Sequence, residues 1–331
     1  MYRYFFEALA ISFAVTTVVI YIAHRYHLFI DHAEELKPQN HHTVSTPRSG
    51  GIALISGLGL LLFSSLGSVL YLSVFLAFLS GIYEDFNRSL SPQVRLVLQA
   101  AAALSAVWFS HAVVTYLGLG IHMPYWIGAL FSLFAIVGMM NAINIIDGFN
   151  GLAGGIGVVI LLSFGITAYR VGDTDILYII IVSTGAICGF LLLNYPKGRI
   201  FLGDGGAYLL GFLTAIIGIF LAGNYDDVSP WYVLAVLIYP VWEVVFSIVR
   251  RKIEGKSALE ADASHLHTLI YRHITRNNPL TATAIIVAQL PFIAIATLYS
   301  HHSLTNIVII ALFILCYLFA YRMLLRKEFI S

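Results

Sequence analysis

Apolar residues fill the chain in long blocks, and the polar residues gather in the gaps between them. A block of about 20 apolar residues makes a helix of about 30 Å, long enough to cross the hydrocarbon core of a bilayer. Such blocks predict helices over about 4–23, 50–66, 68–83, 94–117, 125–143, 152–169, 175–194, 206–222, 231–249, 281–300 and 303–321. The second and third are short and separated only by "SSLGS", so the pattern gives ten or eleven spans. The first runs into "YIAHRYHLF" without a small-residue cleavage pattern, which marks a retained helix rather than a secretory leader.

Hydrophobic residues make up 59% of the sequence and charged residues 11%, against about 25% charged in ordinary soluble domains. A soluble fold is excluded. The expected fold class is all-α: a polytopic helical integral membrane protein with about 10–11 transmembrane helices. No repeat or soluble module interrupts it, so 1–331 reads as a single membrane-embedded domain, with 250–280 as a histidine- and arginine-bearing loop within it. A net charge of +1 gives no sign of a nucleic-acid partner. The sidedness of charge is more telling: with eleven spans, sixteen of the eighteen Lys and Arg residues fall on one side and only Arg3 and Arg170 on the other. Cationic short loops stay in the cytoplasm, so the amino terminus is expected outside and the carboxyl terminus inside. Cys188 and Cys316 fall within predicted spans, where a thiol packs as a small apolar group and says nothing of redox compartment.

The connections on that cationic side, 24–49, 84–93, 144–151, 195–205 and 250–280, hold nearly every motif-like cluster, which points to a site at the cytoplasmic membrane face. Four clusters stand out: "GIYEDFNRSLSPQVRL" (81–96), "NAINIIDGFNGLAGG" (141–155), "IFLGDGGAYLLG" (200–211) and "DASHLHTLIYRH" (262–273). In "GDGG", Asp204 opens an apolar helix. It either caps that helix or, beside a turn suited to anions, shares a divalent cation with phosphate oxygens. Asn141, Asn144 and Asp147 follow at three-residue steps, with Asn150 beyond them. Their amides and carboxylate suit a polar heterocycle or sugar, or else glue helices together. Glu84 and Asp85 end the third predicted span near Arg88 and Arg95. Adjacent residues do not share a helix face, so one of the pair, taken as Asp85, turns into the site or else makes a simple helix-end interaction. His265 and His267 sit among Arg250, Arg251, Lys252 and Arg272, a setting for phosphate contacts or a solvated basic loop. Arg48, Asn194 and Arg199 are further candidates for substrate contact on the same face.

Together these motifs, with "TPRSGGI" (46–52) and "HLHTLIYR", resemble the polyprenyl-phosphate N-acetylhexosamine-1-phosphate transferases of glycosyltransferase family 4. That family includes the lipid I translocase and the enzymes priming O-antigen and related surface glycans. The resemblance runs nearly end to end. It implies that an undecaprenyl-phosphate oxygen attacks the β-phosphorus of a UDP-N-acetylhexosamine, giving undecaprenyl-diphosphate-sugar and UMP at the bacterial inner membrane. It places Asp204 at the Mg²⁺-ligand position, with Asp85 as a second ligand and Mn²⁺ as a substitute ion. Asp147 with Asn144 takes the nucleotide position, Glu84–Asp85 the paired acids near the lipid phosphate, and His265 with His267 the histidine loop. A homodimer is compatible with it. Glu84 stands where many members carry aspartate, Asn150 where many carry a second aspartate, and Thr268 where a third histidine is common. The last departure favours a glycan-priming transferase over the lipid I translocase.

The residues support phosphoryl transfer independently. A lipid phosphate has a second pKa near about 6 and is already largely dianionic at pH 7, so the site must hold two anions together and neutralise a diphosphate. A secondary transporter would place its acids near the midplane between internal repeats, and neither is seen. A CDP-alcohol phosphotransferase would need an arginine and distal paired aspartates that "DGFNGLAGG" lacks, and a silent scaffold has no use for four aligned polar loops. The charge asymmetry makes a direct prediction. A single cysteine at position 256 should resist a membrane-impermeant thiol reagent in intact cells and label after permeabilisation. Labelling from outside would reverse the orientation.

Overall fold

The computed structural model describes residues 1–26, 28, 30–31, 46–86, 90–255 and 264–328. Arg88 and Asp262, and parts of the 24–49 and 250–280 loops including position 256, lie outside the described residues. The chain is a bundle of helices: α1 (Tyr2–Tyr26), α2 (Gly50–Leu58), α3 (Ser65–Asp85), α4 (Pro92–Ser110), α5 (Tyr125–Ile146), α6 (Leu152–Val171), α7 (Thr174–Asn194), α8 (Gly203–Asn224), α9 (Pro230–Val236), α10 (Ile238–Ile253), α11 (Leu266–Ile270), α12 (Asn278–Leu298) and α13 (Ser303–Glu328). Among the described residues the one ladder is a two-residue antiparallel pair, β1 (Ile30–Asp31) with β2 (Thr46–Pro47), in register Ile30 to Pro47 and Asp31 to Thr46. Among the described residues nine helices are long and apolar enough to cross a membrane, and ten if α9 and α10 count as one. The all-α, polytopic architecture is as expected.

Three spans differ from the apolar pattern, each for a local reason. The helix of the 94–117 block, α4, stops at Ser110, where His111 turns into the left-handed region with φ of 53°. The 50–66 block folds as the nine-residue α2 continued by a five-residue 3₁₀ turn, Gly59–Phe63, reaching only roughly 24 Å. It still arrives at the far end of the bundle, where Ser65 Oγ donates to Asp175 Oδ2 at 3.4 Å and Tyr178 donates to the Leu60 carbonyl. The 231–249 block is bent by 77° between α9 and α10. Pro240 has no N–H to give the carbonyl of Val236 and its ring crowds that carbonyl, so the helix breaks at the residue after Val236.

α8 is the axis. It is apolar all round, and Gly203 through Ala222 are all buried, as expected of a helix enclosed by neighbours on every side. The chain alternates across the bundle, so that the end of α3, the end of α5, the starts of α2, α6, α8 and α12, and the end of α7 meet at one end. Arg3 and Arg170 lie at the other end, where Arg170 donates to the Thr297 carbonyl. Buried small residues let the backbones approach, which is how helices associate in lipid without a hydrophobic driving force. Gly81 on α3 shows the limit: a Cβ there would strike the backbone of Asp204 and Gly205, which cannot swing aside as a side chain can. Gly81→Ala should therefore lower stability by about 1–3 kcal/mol through overpacking, read as a reduced thermal midpoint in detergent. A variant as stable as the parent would contradict the close α3–α8 approach.

Candidate active site

The first N–H groups of a helix have no partner within the helix, and in α8 they are those of the "GDGG" turn. Asp85, the last residue of α3, takes them: its Oδ1 accepts from the Asp204 N–H at 2.8 Å and its Oδ2 from the Gly205 N–H at 3.1 Å. Gly203 makes the turn possible with φ of +75°, and a Cβ on it would lie 2.6 Å from the Arg48 carbonyl oxygen and 2.7 Å from both Asp85 oxygens. Asp85 therefore acts in this structure as the cap of α8. Each of its oxygens accepts one backbone hydrogen, which leaves lone pairs on both.

Asp204 projects from that capped turn. Its Oδ1 accepts from Asn144 Nδ2 at 3.0 Å, and two guanidinium groups flank it, Arg48 at 3.8 Å from Oδ1 and Arg95 at 3.6 Å from Oδ2. Both separations exceed a hydrogen bond, so the cations neutralise without closing the carboxylate off. Arg95 also lies near the hydroxyl of Tyr208, one turn further along α8. Asp147 follows the end of α5, within electrostatic reach of Arg48 and Asp204. Part of the residue's surface is open, but its carboxyl is enclosed. Burial pushes that carboxyl up to about 7; Arg48 pulls it down and Asp204 pushes it further up.

The histidine loop packs beside the 147–151 turn. His267 lies with its Nε2 3.6 Å from where a Cβ on Gly148 would sit, and edge-on to Phe149 with ring centroids 5.7 Å apart. His265 stacks on it, centroids 5.1 Å apart and planes 10° apart. Behind them stands Glu243 of α10, which the apolar pattern hid inside the 231–249 block. A lone acid in a membrane span is itself a functional signal, and that signal could have found it. Arg95 is the other residue the sequence noticed only as a neighbour.

Several candidates are drawn into the scaffold instead. Asn141 Nδ2 donates to Gln99 Oε1 at 2.7 Å and to the Val137 carbonyl, the gluing alternative. Steps of three residues rotate the face by about 60° each, so Asn141 and Asp147 do not point the same way. Asn194 is buried, with Oδ1 accepting from Gly151 N–H and Nδ2 donating to the Ile200 carbonyl, both at 2.7 Å. Asn150 donates from Nδ2 to the Pro196 carbonyl and from its N–H to Asn278. Glu84 accepts from the Leu90 N–H at 3.1 Å. Arg199 is exposed, and its side chain has no bonded partner among the described residues.

Among the described residues no three His, Cys, Asp or Glu side chains converge as a metal cage. Mg²⁺ needs none: it takes one or two carboxylates and completes its octahedron with phosphate and water. Asp204, tethered on one oxygen by a neutral amide and partly accessible, fits that use.

A helical membrane bundle that gathers a capped acid, an amide and two guanidiniums at one end has the anatomy of an enzyme acting on phosphates at a membrane face. Residues 68–222 match the model of glycosyl transferase family 4. An undecaprenyl-phosphate alpha-N-acetylglucosaminyl 1-phosphate transferase of Thermotoga maritima is 32% identical over 268 residues, 80% of each chain. One of the same name from Escherichia coli K12 is 26% identical over 325 residues, 92% of this chain and 87% of its own. A phospho-N-acetylmuramoyl-pentapeptide-transferase of Streptococcus agalactiae is 36% identical, but over 146 residues, 42% of this chain and 43% of its own. The chain belongs to glycosyl transferase family 4, the polyprenyl-phosphate N-acetylhexosamine-1-phosphate transferases.

The enclosed Asp147 carboxyl gives a pH prediction. It holds its proton up to about pH 7 when folded and releases it near about pH 4 when unfolded. Between those values the unfolded chain binds fewer protons, so stability falls as pH rises through the window. Asp147→Asn has no proton to lose and should melt higher than wild type at pH 8, with the advantage vanishing at pH 4. The same difference at both pH values would contradict the enclosed carboxyl.

Proposed function

We propose that the protein transfers N-acetylhexosamine 1-phosphate from a UDP-sugar to undecaprenyl phosphate, releasing UMP and starting a cell-surface glycan, with the Asp204 end of the bundle facing the cytoplasm of a bacterial inner membrane. The observation that carries the reading is Asp204 itself, fixed by the capped α8 turn and flanked by Asn144, Arg48 and Arg95. The transferase relatives cover most of the chain, whereas the pentapeptide-transferase match covers less than half, which favours the glycan-priming reaction. The cationic excess at the same end supports the orientation.

The chemistry needs little from a base. A phosphate oxygen of the lipid, dianionic near neutral pH, forms a bond to the β-phosphorus as the bond from that phosphorus to the bridging oxygen breaks, and UMP leaves with the electron pair. Arg48 and Arg95 hold the two anions together, which would otherwise repel. Asp147, at the end of α5, is placed to accept from the uridine. The stacked imidazoles of His265 and His267 offer donors to phosphate or sugar oxygens. Asp204 would hold Mg²⁺, or Mn²⁺ in its place, which when bound neutralises charge on the diphosphate. A covalent intermediate on serine is disfavoured by the geometry of the Ser–His contact described at this end. Ser247 Oγ lies 3.2 Å from His265 Nδ1, the same nitrogen that faces Glu243, whereas a nucleophilic triad puts hydroxyl and acid on opposite nitrogens.

Purified protein with undecaprenyl phosphate, Mg²⁺ and a panel of UDP-N-acetylhexosamines tests the proposal. UMP and a lipid-linked sugar should appear only when both substrates are present, and UMP formed without lipid phosphate would overturn it. Asp204→Asn keeps the shape and Asn144 as neighbour but removes the charge. It should cost about 10²- to 10³-fold in rate, the scale of one strong electrostatic contact at a transition state. Near-normal rate and metal dependence in that variant would remove Asp204 from the role.

A further inference from the structure

Glu243 has no surface exposure and sits inside the bundle on α10. A buried ionised carboxylate is costly unless its lone pairs are satisfied and a positive partner is near. All its described partners belong to the histidine loop or to α13. Oε1 accepts from the Leu266 N–H at 3.1 Å and lies 3.0 Å from His265 Nδ1, and Oε2 accepts from the Tyr317 hydroxyl at 3.0 Å. An ionised carboxylate only accepts, so Nδ1 of His265 carries the hydrogen and its Nε2 is the atom left to interact elsewhere. The ring so fixed stacks on His267, whose Nδ1 is 3.3 Å from the Tyr239 hydroxyl and whose Nε2 faces the Gly148 turn beside Asp147.

We infer that Glu243 is a positioning residue for the reaction: it fixes the tautomer and orientation of His265 and, through the ring stack, holds His267 against the turn that takes the nucleotide. The inference rests on the transfer reaction proposed above. The carboxylate also stands ready to balance positive charge on the two imidazoles when they meet phosphate. Glu243 touches no substrate in this account. Its effect passes through His265, with Tyr317 from α13 bracing its second oxygen.

A double-mutant cycle on the purified full chain separates this from a packing role. Glu243→Gln keeps the shape and removes the charge. It should lower kcat for lipid-dependent UMP release by about 10- to 100-fold, with KM for the UDP-sugar within about twofold and little change in thermal midpoint. On a His265→Ala background the same substitution should cost nothing further. Full additivity with His265→Ala, or wild-type kcat in Glu243→Gln, overturns the inference. Should Glu243→Gln prove too unstable to purify, Tyr317→Phe removes one brace and leaves the charge. It should lower kcat by about threefold, again only when His265 is present, and additivity there overturns the inference as well. A wild-type protein that releases no UMP overturns the reaction and this inference with it, whereas an active wild type with additive losses overturns the inference alone.

Discussion

The structure depends on one contact, the Asp85 carboxylate on the first two N–H groups of α8. Those N–H groups are the positive end of a helix dipole, in a helix enclosed by its neighbours and ending where three acids and two arginines meet. Without an acceptor they would be orphaned in a buried place. With Asp85 on them, α3 and α8 are locked in register, Gly81 packs against the turn, and Asp204 leaves the turn in one direction. The acid that caps and the acid that projects are thus different residues with different duties. Each capping oxygen receives a backbone hydrogen, while the projecting carboxylate keeps only an amide and two cations at arm's length.

Much of this was legible in the sequence, for identifiable reasons. Apolar blocks located the spans because lipid leaves a helix no other way to satisfy its backbone. Asp204 was legible because glycines around an acid before a helix have few other uses. The bend at Leu237 was not inferred, although Pro240 carried the signal, because the block around it stays apolar across the break. Asn141, Asn150 and Asn194 were harder, since a carboxamide at a helix end serves equally as ligand contact and as clamp. Only the partners, Gln99, Pro196, Gly151 and Ile200, separate the two uses. Glu243 escaped because one acid does not disturb an apolar run, and its meaning lies in three residues brought from α11, its flank and α13.

The arrangement also explains why the polar clusters sit at one end rather than midway. The proposed reaction, between a water-borne nucleotide sugar and a membrane-bound phosphate, has to occur where both can be held, and the ends of helices supply free N–H groups, turns and cations there. The apolar remainder anchors that end. The bundle's opposite face carries Asp173, which caps α7 and accepts from Tyr225, and Arg170 on the Thr297 carbonyl. These contacts close the structure and have no counterpart of the Asp204 site.

The central claim is that Asp85 builds the turn from which Asp204 works. It is tested most directly by measuring thermal midpoint and lipid-dependent UMP release together in Asp85→Asn and Asp204→Asn. The account predicts that Asp85→Asn, which puts an amide against a backbone N–H, loses stability and activity together. Asp204→Asn should lose activity while its thermal midpoint stays near or above that of wild type. An Asp85→Asn protein of full stability and no activity would contradict it, and would make Asp85 a participant in the chemistry rather than the cap on which the site stands.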